Sequence, residues 1–183
     1  KQEKRECKKL ILPEKNNEET KVKNYLKSRG IDEEIINYCI EKGLIYQEDK
    51  TKNVVFVGYD NEHKIRYAGC RSTGVKRIMR DAKGSSKEFS FRLLSDTNKD
   101  SIHLFESSID LLSYATLFKL YGQKWEDKTM LSLAGVYQPS SKMEDSKVPI
   151  AIAKNIYKRI SPLLNLNNVN RILNPVNIQN KKS

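Results

Sequence analysis

Two histidines and three cysteines are all that 183 residues offer as imidazole or thiolate ligands. Cys7, Cys39 and Cys70 lie far apart, form no Cys-x-x-Cys pair and are odd in number. That argues against a zinc ribbon and against a disulfide framework, and it fits ordinary thiols in a reducing, cytoplasmic compartment. No apolar run approaches the roughly 18–20 residues that a membrane-spanning helix needs, so no membrane partner is expected. Lys1 to Lys9 are mostly polar and only Leu10, Ile11 and Leu12 follow, which is not the pattern of a signal peptide. The chain opens on Lys1 rather than Met, and the expectation is a piece of something longer. Acids run out as well: from Ser146 to Ser183 there is no Asp or Glu.

What is abundant is positive charge. Lys and Arg number 34 against 23 Asp and Glu, giving a formal net charge of +11. Charged residues make up 31% of the chain, above the usual level of about 25%. A balance this basic points to a polyanionic partner, because neutralised phosphates supply most non-specific nucleic-acid affinity. The length allows one domain or two small ones with a true hydrophobic core.

Along the chain, residues 1–20 read as a polar lead-in without periodicity. Glu18–Arg29 is helical in pattern, with Val22, Tyr25 and Leu26 on one face and Gly30 as its C-terminal cap. Asp32 is a good N-cap for a second helix, with Glu33 and Glu34 in the first turn and Ile35, Ile36, Cys39 and Ile40 as its apolar stripe. The two form a helical hairpin. Its second helix carries acids where a DNA-reading helix would carry bases. A β-meander follows: Leu44–Tyr46, Asn53–Tyr59, a turn at Asp60–Glu62, Lys64–Cys70, and a further alternating stretch at Phe89–Leu94.

Between the last two strands lies Arg71–Lys87, where Arg71, Lys76, Arg77, Arg80, Lys83 and Lys87 face Asp81 alone. Gly74, Gly84, Ser85 and Ser86 make this stretch flexible. It reads either as a solvated loop or as a phosphate-contacting one, to which Arg92 on the next strand would add. Arg71 is the best single candidate, because it directly follows a strand.

The second half changes character. Ser101–Phe105 is an apolar strand, Ile109–Tyr121 a helix, and Thr129–Ala134 another buried strand followed by Gly135. Strand–helix–strand over this length reads as a βαβ unit with a parallel pair. Lys147–Ile160 supplies a covering helix with Pro149 in its first turn.

Glu106 sits where the first of these strands ends and the helix begins, and Asp110 follows one helical turn later. In a parallel α/β sheet that is the carboxyl edge, where ligands bind. Two carboxylates there suit a divalent cation such as Mg²⁺, which takes one or two carboxylates, waters and phosphate oxygens. A glutamate so placed can also give or take a proton. Both acids would equally suit the positive end of the helix dipole with no further role.

At these residues the chain resembles toprim domains, the metal-dependent module of bacterial primases and topoisomerases. Phe105–Asp110 (FESSID) is similar to their first motif, and Leu131–Val136 (LSLAGV) to their second strand with its glycine. Upstream, residues 25–46, 54–60 and 66–73 look like the small domain of unknown function that precedes toprim domains in plasmid and conjugative-element proteins. The resemblance spans residues 20–150. It implies that Glu106 is the general acid/base and, with Asp110, metal-associated. It also implies that Gly135 is a structural motif residue, that Mg²⁺ is the cofactor, and that the biology is DNA handling for a mobile element. Two departures stand out. Ser107 replaces the glycine that follows the glutamate in primases. The Asp-x-Asp of the third toprim strand has no match: near Val169–Leu173 the chain offers asparagines instead.

The expected architecture is α+β: a lead-in at 1–20, a small α+β domain at 21–97, an incomplete toprim-like α/β unit at 98–165, and a basic, Asn-rich tail at 166–183. The expected function is nucleic-acid processing of the Mg²⁺-dependent phosphoryl-transfer type, incomplete in this chain. The alternative is a non-catalytic DNA- or RNA-binding module built on residues 71–87. A blander third reading is a protein-interaction domain with an incidentally basic surface. Further domains of a parent protein are expected as partners.

Overall fold

The computed structural model describes residues 9–97, 101–136 and 149–151. It is an α+β fold in which two sheets share one hydrophobic core.

The helical hairpin forms as its caps dictate. Helix α1 spans Thr20–Ser28 and α2 spans Glu33–Glu41. The Asp32 side chain accepts from the Glu34 N–H, satisfying one of the orphan donors at the start of α2. Helix α1 has no cap of its own. The buried Gln47 side chain, far along the chain, accepts from the N–H groups of Lys21 and Val22 at 3.1 and 3.2 Å in its place.

Four antiparallel strands make the first sheet in the order β1 (Ile45–Gln47), β2 (Val54–Tyr59), β3 (Ile65–Arg71) and β4 (Met79–Asp81). Strand β4 lies inside the basic stretch expected to be a loop. It pairs Gly69 with Asp81 and Arg71 with Met79. One face of the sheet carries Val54 and Phe56 into the core shared with the helices; the other carries Val55, Val57, Ala68 and Cys70. Residues expected as a loose lead-in are tied to the first sheet. Ile11 N–H donates to the Lys83 carbonyl, Asn16 N–H to that of Gln47, and the Tyr46 hydroxyl to that of Pro13. These bonds are almost all backbone, so the side-chain pattern could not announce them.

The second sheet has the order β5 (Arg92–Leu93), β7 (Thr129–Ser132), β6 (Ile102–Phe105), with β6 and β7 parallel and helix α3 (Ser108–Leu120) between them in sequence. The βαβ reading therefore holds for the parallel pair. The stretch Phe89–Leu94 is a strand only at Arg92–Leu93; Lys87–Phe89 is a 3-10 turn. The cause is a close approach: a Cβ on Gly58 would lie 1.6 Å from the Phe89 carbonyl oxygen. Phe91 then drops into the core, edge-on to Phe56 at 5.3 Å. Ile150 and Ala151 are helical, and Ala151 packs on Leu131 and Leu133. The rest of the expected covering helix, the stretch near Val169–Leu173 and the tail lie outside the described residues.

A polar clamp joins the hairpin to α3. The Lys119 ammonium lies 2.7 Å from both the Asp32 and the Glu34 carboxylates, and Thr116 Oγ1 accepts from the Asp32 N–H. The hydrogen bond from Lys119 holds the Asp32 carboxyl below its ordinary value of 3.8, although burial opposes it. A depressed carboxylate contributes stability above its unfolded value and loses it as the pH falls through the folded one. Lys119→Met is accordingly expected to lower the melting midpoint at pH 7 by about 2 °C, a modest loss because the pair is partly exposed. The difference should close once the pH drops below the depressed Asp32 value. Melting curves of both proteins across pH 2–7 check this.

Candidate functional site

The two sheets meet at a recess of about 230 Å³. Its walls come from β3 (Tyr67, Gly69, Arg71), β4 (Met79, Asp81), Lys87, the start of α3 (Ser107–Ile109) and the end of β7 (Ser132, Ala134). Because β6 and β7 are parallel, both carboxyl ends open toward it. The backbones there are laced together: Leu133 N–H donates to the Phe105 carbonyl at 2.7 Å, and Gly135 N–H to the Glu106 carbonyl at 3.0 Å. Gly135 sits at φ +95°, a backbone conformation that L side chains rarely adopt.

Of the seven basic residues expected to contact phosphate, the structure brings two side chains to this recess. Arg71 ends β3 on the same face as Tyr67 and Gly69. Its Nε donates to the Tyr25 hydroxyl at 2.8 Å and its Nη1 to the Met79 sulfur at 3.3 Å. The guanidinium is thus held in place by neutral groups. Lys87 lies across from it; its ammonium donates to the Ala134 carbonyl at 2.7 Å and stands 3.4 Å from Asp81. Arg80 lends main chain to the recess, but its guanidinium pairs with the Glu48 carboxylate at 2.9 Å, on the side of the sheet where its strand neighbour Ala82 packs with Cys70. Lys76 and Arg77 are exposed in the turn between β3 and β4, and Lys83 is exposed just past β4. Arg92 is elsewhere: it donates to the Ser90 and Glu88 carbonyls and holds the 3-10 turn.

Glu106 and Asp110 are both exposed at the start of α3. Ser107 caps the helix: its hydroxyl accepts from the Asp110 N–H and donates to the Asp110 carboxylate at 2.7 Å. Among the described residues no group of three His, Cys, Asp or Glu side chains forms a metal site. Two carboxylates are nonetheless the number that Mg²⁺ takes from protein when phosphate oxygens complete its shell, so this donor set fits a cation that arrives with its substrate.

Three contributors were not among the expected site residues: Tyr25, Tyr67 and Asp81. Tyr67 donates to Asp81 at 2.8 Å. Burial and the neighbouring Asp81 push the Tyr67 phenol far up, so it stays protonated. The period-2 alternation of Lys64–Cys70 puts Tyr67 on the face of Arg71 and was the one usable hint. Burial also raises the Cys39 thiol to about 12 and the Cys70 thiol to about 11, which makes both inert. Cys7 lies outside the described residues.

Residues 24–98 match a family model. Its description is a protein of unknown function, DUF3991. The DUF3991 match covers the hairpin from Asn24 onward, the whole first sheet and β5, and so contributes Arg71, Asp81 and Lys87 to the recess but neither Glu106 nor Asp110. The chain is also 33% identical over 118 residues to an uncharacterized plasmid protein of Bacillus anthracis, pXO2-78. That alignment takes in 61% of this chain, which spans about a third of the relative's length (33%). No solved structure matches the chain. Among the described residues no helix is long and apolar enough to cross a membrane.

Proposed function

We propose that this chain is a nucleic-acid-processing module of a plasmid or related mobile element, acting on DNA by Mg²⁺-dependent phosphoryl transfer of the toprim type. One observation carries the reading: a parallel strand pair sets Glu106 and Asp110 at its carboxyl edge, next to a recess that Arg71 makes cationic. The similarity to a plasmid protein agrees with a mobile-element setting. In this reading Arg71, Lys76 and Arg77 attract and position the DNA backbone. Glu106, exposed and anchored through its carbonyl to Gly135, exchanges the proton of the reacting hydroxyl. Mg²⁺, held by Glu106 and Asp110 when bound, would neutralise phosphate charge.

A second reading, binding without chemistry, draws on the fact that the described residues supply only two of the expected acids. Both readings require DNA binding, and salt dependence tests it. Binding should weaken linearly with the logarithm of salt concentration. Changing Arg71, Lys76 and Arg77 to alanine together should flatten that slope by about one unit for each phosphate contact removed. Fluorescence anisotropy with labelled DNA at several salt concentrations gives the slope. Binding indifferent to salt and to the loss of Arg71, Lys76 and Arg77 would overturn both readings and leave a protein-interaction domain.

A further inference from the structure

We infer that the recess between the two sheets is a built site for one terminal phosphate, the phosphorylated end of a DNA strand, rather than for internal phosphodiesters. The inference rests on the nucleic-acid reading above and narrows it to a substrate class.

Three features of the recess lead there. The first is its charge. Among the described residues the partners of Arg71 are Tyr25 and Met79, both neutral, so no carboxylate there offsets its charge. A guanidinium fixed through Nε and one Nη1 hydrogen keeps its remaining terminal N–H groups for phosphate oxygens. Lys87 and Asp81 offset one another at 3.4 Å, so Arg71 sets the sign of the site.

The second is its size and the number of elements that border it. At about 230 Å³ it falls below the roughly 300–1,000 Å³ typical of small-molecule pockets. Strands β3 and β4, the turn at Lys87, the first turn of α3 and the end of β7 all border it. A phosphoryl group with part of its sugar fills such a space. A strand running through it would need a longer groove.

The third is the floor. Gly69 lines it, and a Cβ there would come within 2.5 Å of the Tyr67 hydroxyl. The glycine keeps the space beside Arg71 open and leaves the Tyr67–Asp81 hydrogen bond intact. The N–H groups of Ser108 and Ile109, which have no intrahelical acceptor, add donors at the rim. A terminal phosphate has one more free oxygen and more charge than a diester, and gains more from such a set of donors.

The test uses the full chain and three single-stranded DNA probes of one sequence: a 5′-phosphate, a 3′-phosphate, and hydroxyls at both ends. The expected result is that one phosphorylated probe binds at least about tenfold more tightly than the hydroxyl probe. Arg71→Gln should weaken all three probes and leave them at one common affinity, so that the preference is erased. Lys76→Ala should weaken all three probes alike. Arg71→Lys, which keeps the charge but not the guanidinium's N–H groups, should retain only part of the preference. Melting curves of the variants establish that they fold, and if Arg71→Gln does not fold, Arg71→Lys and Gly69→Ala carry the comparison. Equal affinity for all three probes would overturn the terminal-phosphate site and leave the nucleic-acid reading standing. No binding of any probe at low salt would overturn both.

Discussion

Gly58→Ala is expected to cost about 3 kcal/mol or more of folding stability, at the upper end of what overpacking does. The added methyl would lie 1.6 Å from the Phe89 carbonyl oxygen and 2.8 Å from its carbon, and both are backbone. No rotamer relieves that. The turn at Lys87–Phe89 would have to lift off β2, carrying with it Ser90, whose hydroxyl donates to the Ser132 carbonyl, and Phe91, which is wholly buried. Lys87 would leave Ala134 in the same movement, so the recess would open as the protein weakens. Gly74 provides the contrast: it lies in the exposed turn with nothing within 4 Å of a Cβ, and alanine there should change stability little. Urea denaturation midpoints of the two variants measure the difference. A Gly58→Ala protein as stable as the parent would mean that the strap over β2 is not packed as described.

Glu106→Gln is expected to leave the fold and DNA affinity nearly unchanged while lowering Mg²⁺-dependent turnover of DNA phosphodiesters by about 10²–10⁴-fold, the usual worth of a positioned proton carrier. The side chain is exposed, and what ties Glu106 to the fold is its carbonyl, which accepts from Gly135 and survives the change. Calorimetry with Mg²⁺ should show binding by the parent chain and a loss in the variant, since an amide brings no charge to the cation. Cleavage of DNA by the variant at the parental rate would exclude Glu106 as the proton carrier. A parent chain that binds DNA but neither Mg²⁺ nor turns over would favour the binding module.

Much of the fold was legible because local chemistry and packing agree. Asp32 announces α2 by capping it, and the alternation in β2 and β3 matches their two buried faces. The strand–helix–strand order of the second half specifies the parallel pair. Strand β4 was not legible: its three residues, Met79, Arg80 and Asp81, are all exposed and show no apolar alternation. Phe89–Leu94 misleads for the opposite reason. Its alternation is real, but the contact of Phe89 with Gly58 overrides it. The site was half legible. Glu106, Asp110 and Arg71 could be named from their positions at element ends. The tyrosine that fixes Arg71 is 46 residues away, and the glutamate that removes Arg80 from the recess is 32 away; no local pattern encodes either distance.

The shared core has one more consequence, for how the chain comes apart. Val22, Leu26, Ile35 and Ile36 of the hairpin belong to the same buried cluster as Phe56 and Phe91, and as Leu111, Leu112, Trp125 and Met130 from beyond residue 98. The family match ends at that residue. A fragment cut there would expose one side of its own interior, because the matched segment does not close this core by itself. Hairpin, first sheet and α3 should melt as one cooperative block, and evolution could exchange the two sequence halves only by re-matching the core between them.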